Sequence, residues 1–109
     1  MLVIRSEQVT VFTAPALLRF KAKLKAHLEQ AFAQQCDELG TDKLKQLIDN
    51  GINSAKQYNF ISEADVFHFF NLIMLGGEEF DTTPEAVNVL DDVSLSNKQK
   101  FDELYSLIN

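Results

Sequence analysis

Apolar side chains recur along this chain at three- and four-residue steps, the spacing that lines one face of an α-helix. Over about residues 15–36, Leu17, Phe20, Leu24, Leu28, Ala31 and Phe32 share a face, while Arg19, Lys21, Lys23 and Lys25 take the other positions. Pro15 breaks or kinks what precedes it, because it has no N–H to donate and its ring crowds the preceding turn. Ahead of it, Ser6 can cap a first short helix with Val9, Val11 and Phe12 as its apolar positions, and Thr13 can cap the segment that follows. Gly40 ends the next connection, and Thr41 caps a third helix with Leu44, Leu47, Ile48, Ile52, Ala55 and Tyr58 on its inner side. Gly51 inside that helix costs about 1 kcal/mol relative to Ala; a close helix contact explains its presence, and so does plain tolerance.

Punctuation sharpens in the second half. Asn59 tolerates left-handed geometry and closes the preceding helix. Ser62 then caps a helix over 63–75, with Asp65 placed to reach back in a capping box and Ile61 placed to staple onto Val66. That helix is apolar almost all round (Val66, Phe67, Phe69, Phe70, Leu72, Ile73, Met74, Leu75), a pattern that belongs in the middle of a bundle. Gly76-Gly77 stops it. Thr83 and Pro84 start a fifth helix held by Val87, Val89 and Leu90, and Ser96 with Gln99 boxes a last one striped by Phe101, Leu104, Tyr105 and Ile108. Strand alternation is absent apart from Leu2 to Ile4. The pattern predicts an all-α fold: a compact single domain over 1–109, a bundle of five or six helices with 63–75 at its centre.

Composition fits that picture. A chain of 109 residues with 46% hydrophobic residues and nine Phe suffices for one packed core, since a domain this long buries roughly two-thirds of its unfolded surface. The opening Met1-Leu2-Val3-Ile4-Arg5 turns polar at Ser6 and lacks the long apolar region of a signal peptide. The longest apolar run, Val66 to Leu75, falls well short of the ~20 residues that cross a bilayer. One cysteine, Cys36, rules out an internal disulfide framework and suits a reducing cytosol. The expectation is a cytoplasmic protein that does not engage membranes.

Charge changes the picture more than composition does. Residues 1–28 carry five bases against Glu7, a balance of +4, whereas residues 29–109 carry five bases against fifteen acids, a balance of -10. From Gln57 to Asn97 there is no Lys or Arg, yet the stretch holds Glu63, Asp65, Glu78, Glu79, Asp81, Glu85, Asp91 and Asp92. The cluster Arg19, Lys21, Lys23 and Lys25 has no interleaved aromatics, and the acidic remainder would repel phosphate, which argues against nucleic acid. A solvated helix face is the plain reading of the cluster. The alternative is that it meets the acidic 63–92 region of the same chain or of a neighbouring copy, so a homo-oligomer is compatible.

Candidate chemistry is sparse. His27 and His68 have no metal-ligand company, and there is no HExxH, Cys pair, GxGxxG, GK[ST] loop or GxSxG. Asp65 and His68, three apart on one helix face, can form an acid–base pair; a capping Asp beside a partly buried His is the plainer account. Cys36 lacks a flanking motif and reads as a small packed residue. Asp92 to Glu103 places oxygens at loop positions 1, 3, 5 and 12 of a calcium loop, but Asn97 stands where glycine makes the turn and Gln99 where an apolar residue is expected. No catalytic, cofactor or metal residue is therefore assigned, and no cofactor is expected. The loop Glu78-Glu79-Phe80-Asp81 sets an aromatic ring among carboxylates behind a Gly-Gly pair, and either the ring offers itself to a partner or it tucks inward.

The stretches Ile4-Arg5-Ser6-Glu7-Gln8, Arg19-Phe20, Ala26-His27-Leu28, Phe80-Asp81-Thr82-Thr83-Pro84, Leu95-Ser96 and Leu104-Tyr105 resemble those of small all-helical bacterial accessory proteins associated with type VI secretion effector clusters. The resemblance runs along nearly the whole chain, and Pro15 departs from the uninterrupted helix it implies. It implies a non-enzymatic partner of another protein: an effector, a toxin or a secretion component. The functional expectation is a protein–protein interaction module, an adaptor or chaperone-like accessory factor. Its contact residues are expected to be Glu78, Glu79, Phe80, Asp81 and Glu85 on the acidic loop, with Arg19 and Lys23 on the basic face. An immunity or antitoxin protein that blocks a toxin through its acidic surface is the first rival, and a small enzyme using Asp65 and His68 the second.

Overall fold

A computed structural model of the chain describes residues 14–77 and 79–108. The expected first helix at 6–12, the Thr13 cap and the Leu2 to Ile4 alternation lie outside them. Helices α1 (Ala14–Ala31), α2 (Ala33–Gln57), α3 (Glu63–Gly76), α4 (Pro84–Leu90) and α5 (Asn97–Ile108) follow one another, with a 3-10 turn at Phe80–Thr82 between α3 and α4. Among the described residues there is no strand. The fold is an all-α bundle, as the periodicity predicts.

Local hydrogen bonding explains most of the boundaries. Ser62 Oγ accepts from Asp65 N at 3.2 Å, and Thr83 Oγ1 accepts from Ala86 N at 3.3 Å in front of Pro84. Ser96 and Gln99 complete a reciprocal box, with Gln99 N donating to Ser96 Oγ at 3.2 Å and Ser96 N to Gln99 Oε1 at 2.8 Å. The end of α2 is a Schellman motif. Asn59 sits at φ 65°, Phe60 N reaches back to Ala55 O at 2.9 Å and Asn59 N to Lys56 O at 3.0 Å, so the last carbonyls keep partners. Asp65 does not close the expected box at the start of α3; its carboxylate instead accepts from Asn97 Nδ2 at 2.9 Å.

The helix expected over 15–36 is interrupted earlier. Phe32 leaves helical geometry at φ -131°, and α2 then runs on through a kink at Gly40 (φ 82°, ψ 166°). Phe32 N still bonds Leu28 O at 2.8 Å, and Cys36 N bonds Phe32 O at 3.0 Å. The chain therefore turns without stranding backbone groups, and residues 37–39 are helical where the sequence predicts a connection.

α3 is central. It packs against α2, α5 and the 3-10 turn, and Phe67 meets Phe20 of α1 with ring centroids 5.2 Å apart. Phe20, Leu24, Leu28, Ala55, Phe60, Val66, Phe70 and Leu72 are fully buried. Phe60 joins α3 to α5 through Phe69 at 5.8 Å and Phe101 at 4.6 Å, spacings at which tilted rings attract beyond their area burial. Gly51 permits the α2–α3 approach: a β-carbon there would clash with Phe70 Cζ and lie 2.7 Å from its Cε2. α4 is held by Ala86 and Leu90, whose four-residue spacing faces inward, while Val89 is half-buried and Val87 is exposed. Leu75, expected inside with the rest of α3, is 52% exposed.

Candidate functional site

The base-free stretch supplies the end of α3, the 3-10 turn and α4. Glu78 lies outside the described residues. Glu79 and Glu85 are exposed, and Glu85 stands in the first turn of α4, where the positive end of the helix dipole favours a carboxylate. Asp81 is half-buried and accepts from the Tyr58 hydroxyl at 2.9 Å. Burial first, then the bond to Asp81 and the charges of Asp81 and Asp91, push the Tyr58 phenol up to about 12. Asp81 thus ties the 3-10 turn to the end of α2.

Phe80 is turned inward. It is 7% exposed and its ring packs 5.5 Å from that of Phe69, so of the two readings of this ring the inward one holds. The loop therefore presents carboxylates, and its aromatic residue anchors it to the core.

The basic face of α1 is partly engaged within the chain. Lys21 pairs with Asp49 at 3.0 Å, Lys23 with Glu63 at 3.3 Å and Lys25 with Glu29 at 3.8 Å; Arg19 is exposed and makes no ion pair among the described residues. The Lys23–Glu63 pair is the meeting of the basic cluster with the acidic region that the charge pattern allows. Exposed pairs of this kind contribute at most about 1 kcal/mol, so they orient α1 more than they hold it. Lys23 already has a partner, and of the two basic residues assigned to a contact surface Arg19 is the one left to water.

Asp65 and His68 do not act as a pair. Asp65 is bonded to Asn97, while His68 Nδ1 lies 3.0 Å from the Tyr105 hydroxyl. The same hydroxyl accepts from Asn71 Nδ2 at 3.5 Å, and Asn71 Oδ1 accepts from His27 Nε2 at 3.0 Å. This polar chain crosses α3 from α1 to α5 and satisfies both histidines. Asp92 accepts from the Ser94 backbone N–H at 2.9 Å and its hydroxyl at 2.6 Å, bonds that pull its carboxyl below the usual range, while Ser96 caps α5. Three of the four oxygens that echo a calcium loop, those of Asp92, Ser94 and Ser96, are thus committed to a turn and a helix start, and Glu103 is exposed. Among the described residues no group of three His, Cys, Asp or Glu is arranged to hold a metal ion. Cys36 is buried, and burial together with Glu29 and Asp37 pushes its thiol up, away from nucleophilic use.

One feature escaped the sequence reading. Between the end of α3, the start of α4 and the end of α5 lies a cleft of about 360 Å³ whose walls include Leu75, Phe80, Ala86, Leu104, Leu107 and Ile108. Leu75 and Leu107 are 52% and 49% exposed. Leu107 stands three residues beyond Leu104, so the widening of the apolar stripe at the end of α5 was its signal. Neither Asp65 nor His68 lines this cleft. No helix among the described residues is long and apolar enough to cross a membrane. Comparison with family models, curated proteins and solved structures finds no match to this chain.

Proposed function

We propose that this chain is a non-catalytic protein-binding module, an adaptor or chaperone-like accessory factor for a bacterial secreted effector of the type VI kind, acting in the cytoplasm. The observation that carries the reading is the exposure of Glu79 and Glu85 within a run from Gln57 to Asn97 that has no Lys or Arg. Glu79 and Glu85 make no ion pair among the described residues, and unpaired carboxylates sum to a negative field that speeds encounter with a basic partner and repels acidic ones. The association with secreted effectors comes from the sequence resemblance alone. The commitment of Asp65, His68 and Asp92 to structural hydrogen bonds favours binding over catalysis.

Affinity capture from lysate of the source cells, with the wild type and a Glu79→Lys/Glu85→Lys variant side by side, tests this. The expected result is an effector or secretion component enriched by the wild type, depleted by the variant and weakened by salt. Equal capture by both proteins refutes the acidic surface. If the captured partner is a toxin whose activity the purified chain abolishes, the immunity reading replaces the adaptor.

A further inference from the structure

We infer that the cleft between α3, α4 and α5 is the seat of an apolar anchor on a basic amphipathic helix of the partner, a deepening that rests on the acidic-surface reading above. The lining of the cleft and the charge around it support this.

Most of its lining side chains are aliphatic or aromatic, with Thr83 the polar one, and Leu75 and Leu107 are left about half exposed at its mouth. At about 360 Å³ it falls within the roughly 300–1,000 Å³ range of sites that take up a ligand group. Gly76, an exposed residue of the lining, leaves no spare room on its side, since a β-carbon there would lie 2.9 Å from Ile108 Cδ1 and 3.2 Å from Phe80 Cβ.

The charge around it is predominantly negative. Glu79, Glu85 and Glu103 are exposed and make no ion pair among the described residues, whereas Asp102 pairs with Lys98 at 3.3 Å and Lys100 Nζ donates to Leu90 O at 2.8 Å. Glu103 precedes Leu107 by four residues on α5, so the two side chains are neighbours on one helix face. A purely apolar visitor would leave these carboxylates unused, and an acidic one would be repelled. The complementary occupant is a helix that inserts Leu-type side chains at i, i+3, i+4 and i+7 and carries Lys or Arg on its flanks.

The test uses the full chain and a labelled synthetic helix of roughly 18 residues, built from Leu and Lys at that spacing, with a Leu and Glu helix of the same pattern as its counterpart; fluorescence anisotropy reads binding. The Leu and Lys helix is expected to bind and the Leu and Glu helix not. Leu107→Asp is expected to weaken binding by about tenfold or more, equivalent to about 1.4 kcal/mol, while Leu18→Asp, at a 73% exposed leucine of α1, leaves it unchanged. The sign is decisive, because the added Asp would strengthen a contact that was merely electrostatic. Leu107→Ser repeats the arm without a new charge, and circular dichroism shows that each variant keeps its helices. Equal effects of Leu107→Asp and Leu18→Asp overturn the cleft. Loss of binding on Glu79→Lys/Glu85→Lys but not on Leu107→Ser leaves the acidic surface standing and overturns the cleft alone. Binding that survives the charge reversal but not Leu107→Ser overturns the acidic reading and the basic partner with it. A doubling of mass in sedimentation without peptide, abolished by Leu107→Ser, assigns the cleft to a second copy and likewise overturns the proposal.

Discussion

Gly51→Ala has opposite expected signs depending on whether α2 is read alone or packed, which makes it the sharpest probe of this fold. In an unconstrained helix the change stabilises by about 1 kcal/mol, because Ala loses less backbone entropy than Gly. Here the new methyl would clash with Phe70 Cζ and lie 2.7 Å from Cε2 and 3.1 Å from Cε1. Phe70 has no exposed surface and its ring stands edge-on to Phe69 at 6.4 Å. The ring therefore cannot retreat without moving α3 against α2. Overpacking of this kind costs about 1–3 kcal/mol, so the net expectation is a loss of roughly 1 kcal/mol, or a fall in Tm of about 4–8 °C for a domain near this size. Thermal and urea unfolding followed by far-ultraviolet circular dichroism measure it. Phe70→Leu makes room at a cost of about 1–2 kcal/mol by itself. In that background Gly51→Ala is expected to be neutral or stabilising, a coupling between the two sites of the size contacting residues show. A rise in Tm for Gly51→Ala alone refutes the close-contact account and leaves the glycine as merely tolerated.

Two further perturbations test the end of α2. Asn59→Ala forces an ordinary L-residue to hold φ 65° and is expected to cost about 1 kcal/mol, whereas Asn59→Gly keeps or slightly improves the midpoint; equal losses for both would show that the Asn side chain, and not the backbone, is what the site requires. Tyr58 carries a pKa pushed to about 12 from an ordinary value of 10.0, so the folded state favours the neutral phenol. Its contribution to stability is fully present below about pH 10 and is lost as pH rises through about 12. Tyr58→Phe is expected to flatten the fall in stability over that window and to remove a phenolate step near pH 12 from an ultraviolet absorbance titration; an undiminished slope in the variant would refute a contribution of Tyr58 to that fall.

The helix ends were legible because their chemistry is local. Ser62, Thr83 and the Ser96–Gln99 pair each satisfy N–H groups within a few residues of themselves, and Asn59 closes α2 by backbone bonds no further away than Ala55. Periodicity also placed α3 at the centre, since Val66, Phe69, Phe70, Leu72 and Ile73 leave it almost no polar face. Where a group had a distant suitor, local reasoning failed. Asp65 had a capping partner three residues away, yet its carboxylate went to Asn97 across the bundle.

The chain alone thus determined that this protein is helical, where most helices stop and that its acidic and basic residues are segregated, all consequences of short-range hydrogen bonding, side-chain spacing and composition. Only tertiary packing decided that Phe80 turns toward Phe69, that Ala86 and not Val87 holds α4, that the chain leaves helical geometry at Phe32, and that Leu75 and Leu107 are left at the mouth of a cleft. Those outcomes depend on which helix stands opposite a given face. A side chain's own neighbours in sequence say which way it can point, and the volume left between elements far apart in the chain settles which way it does.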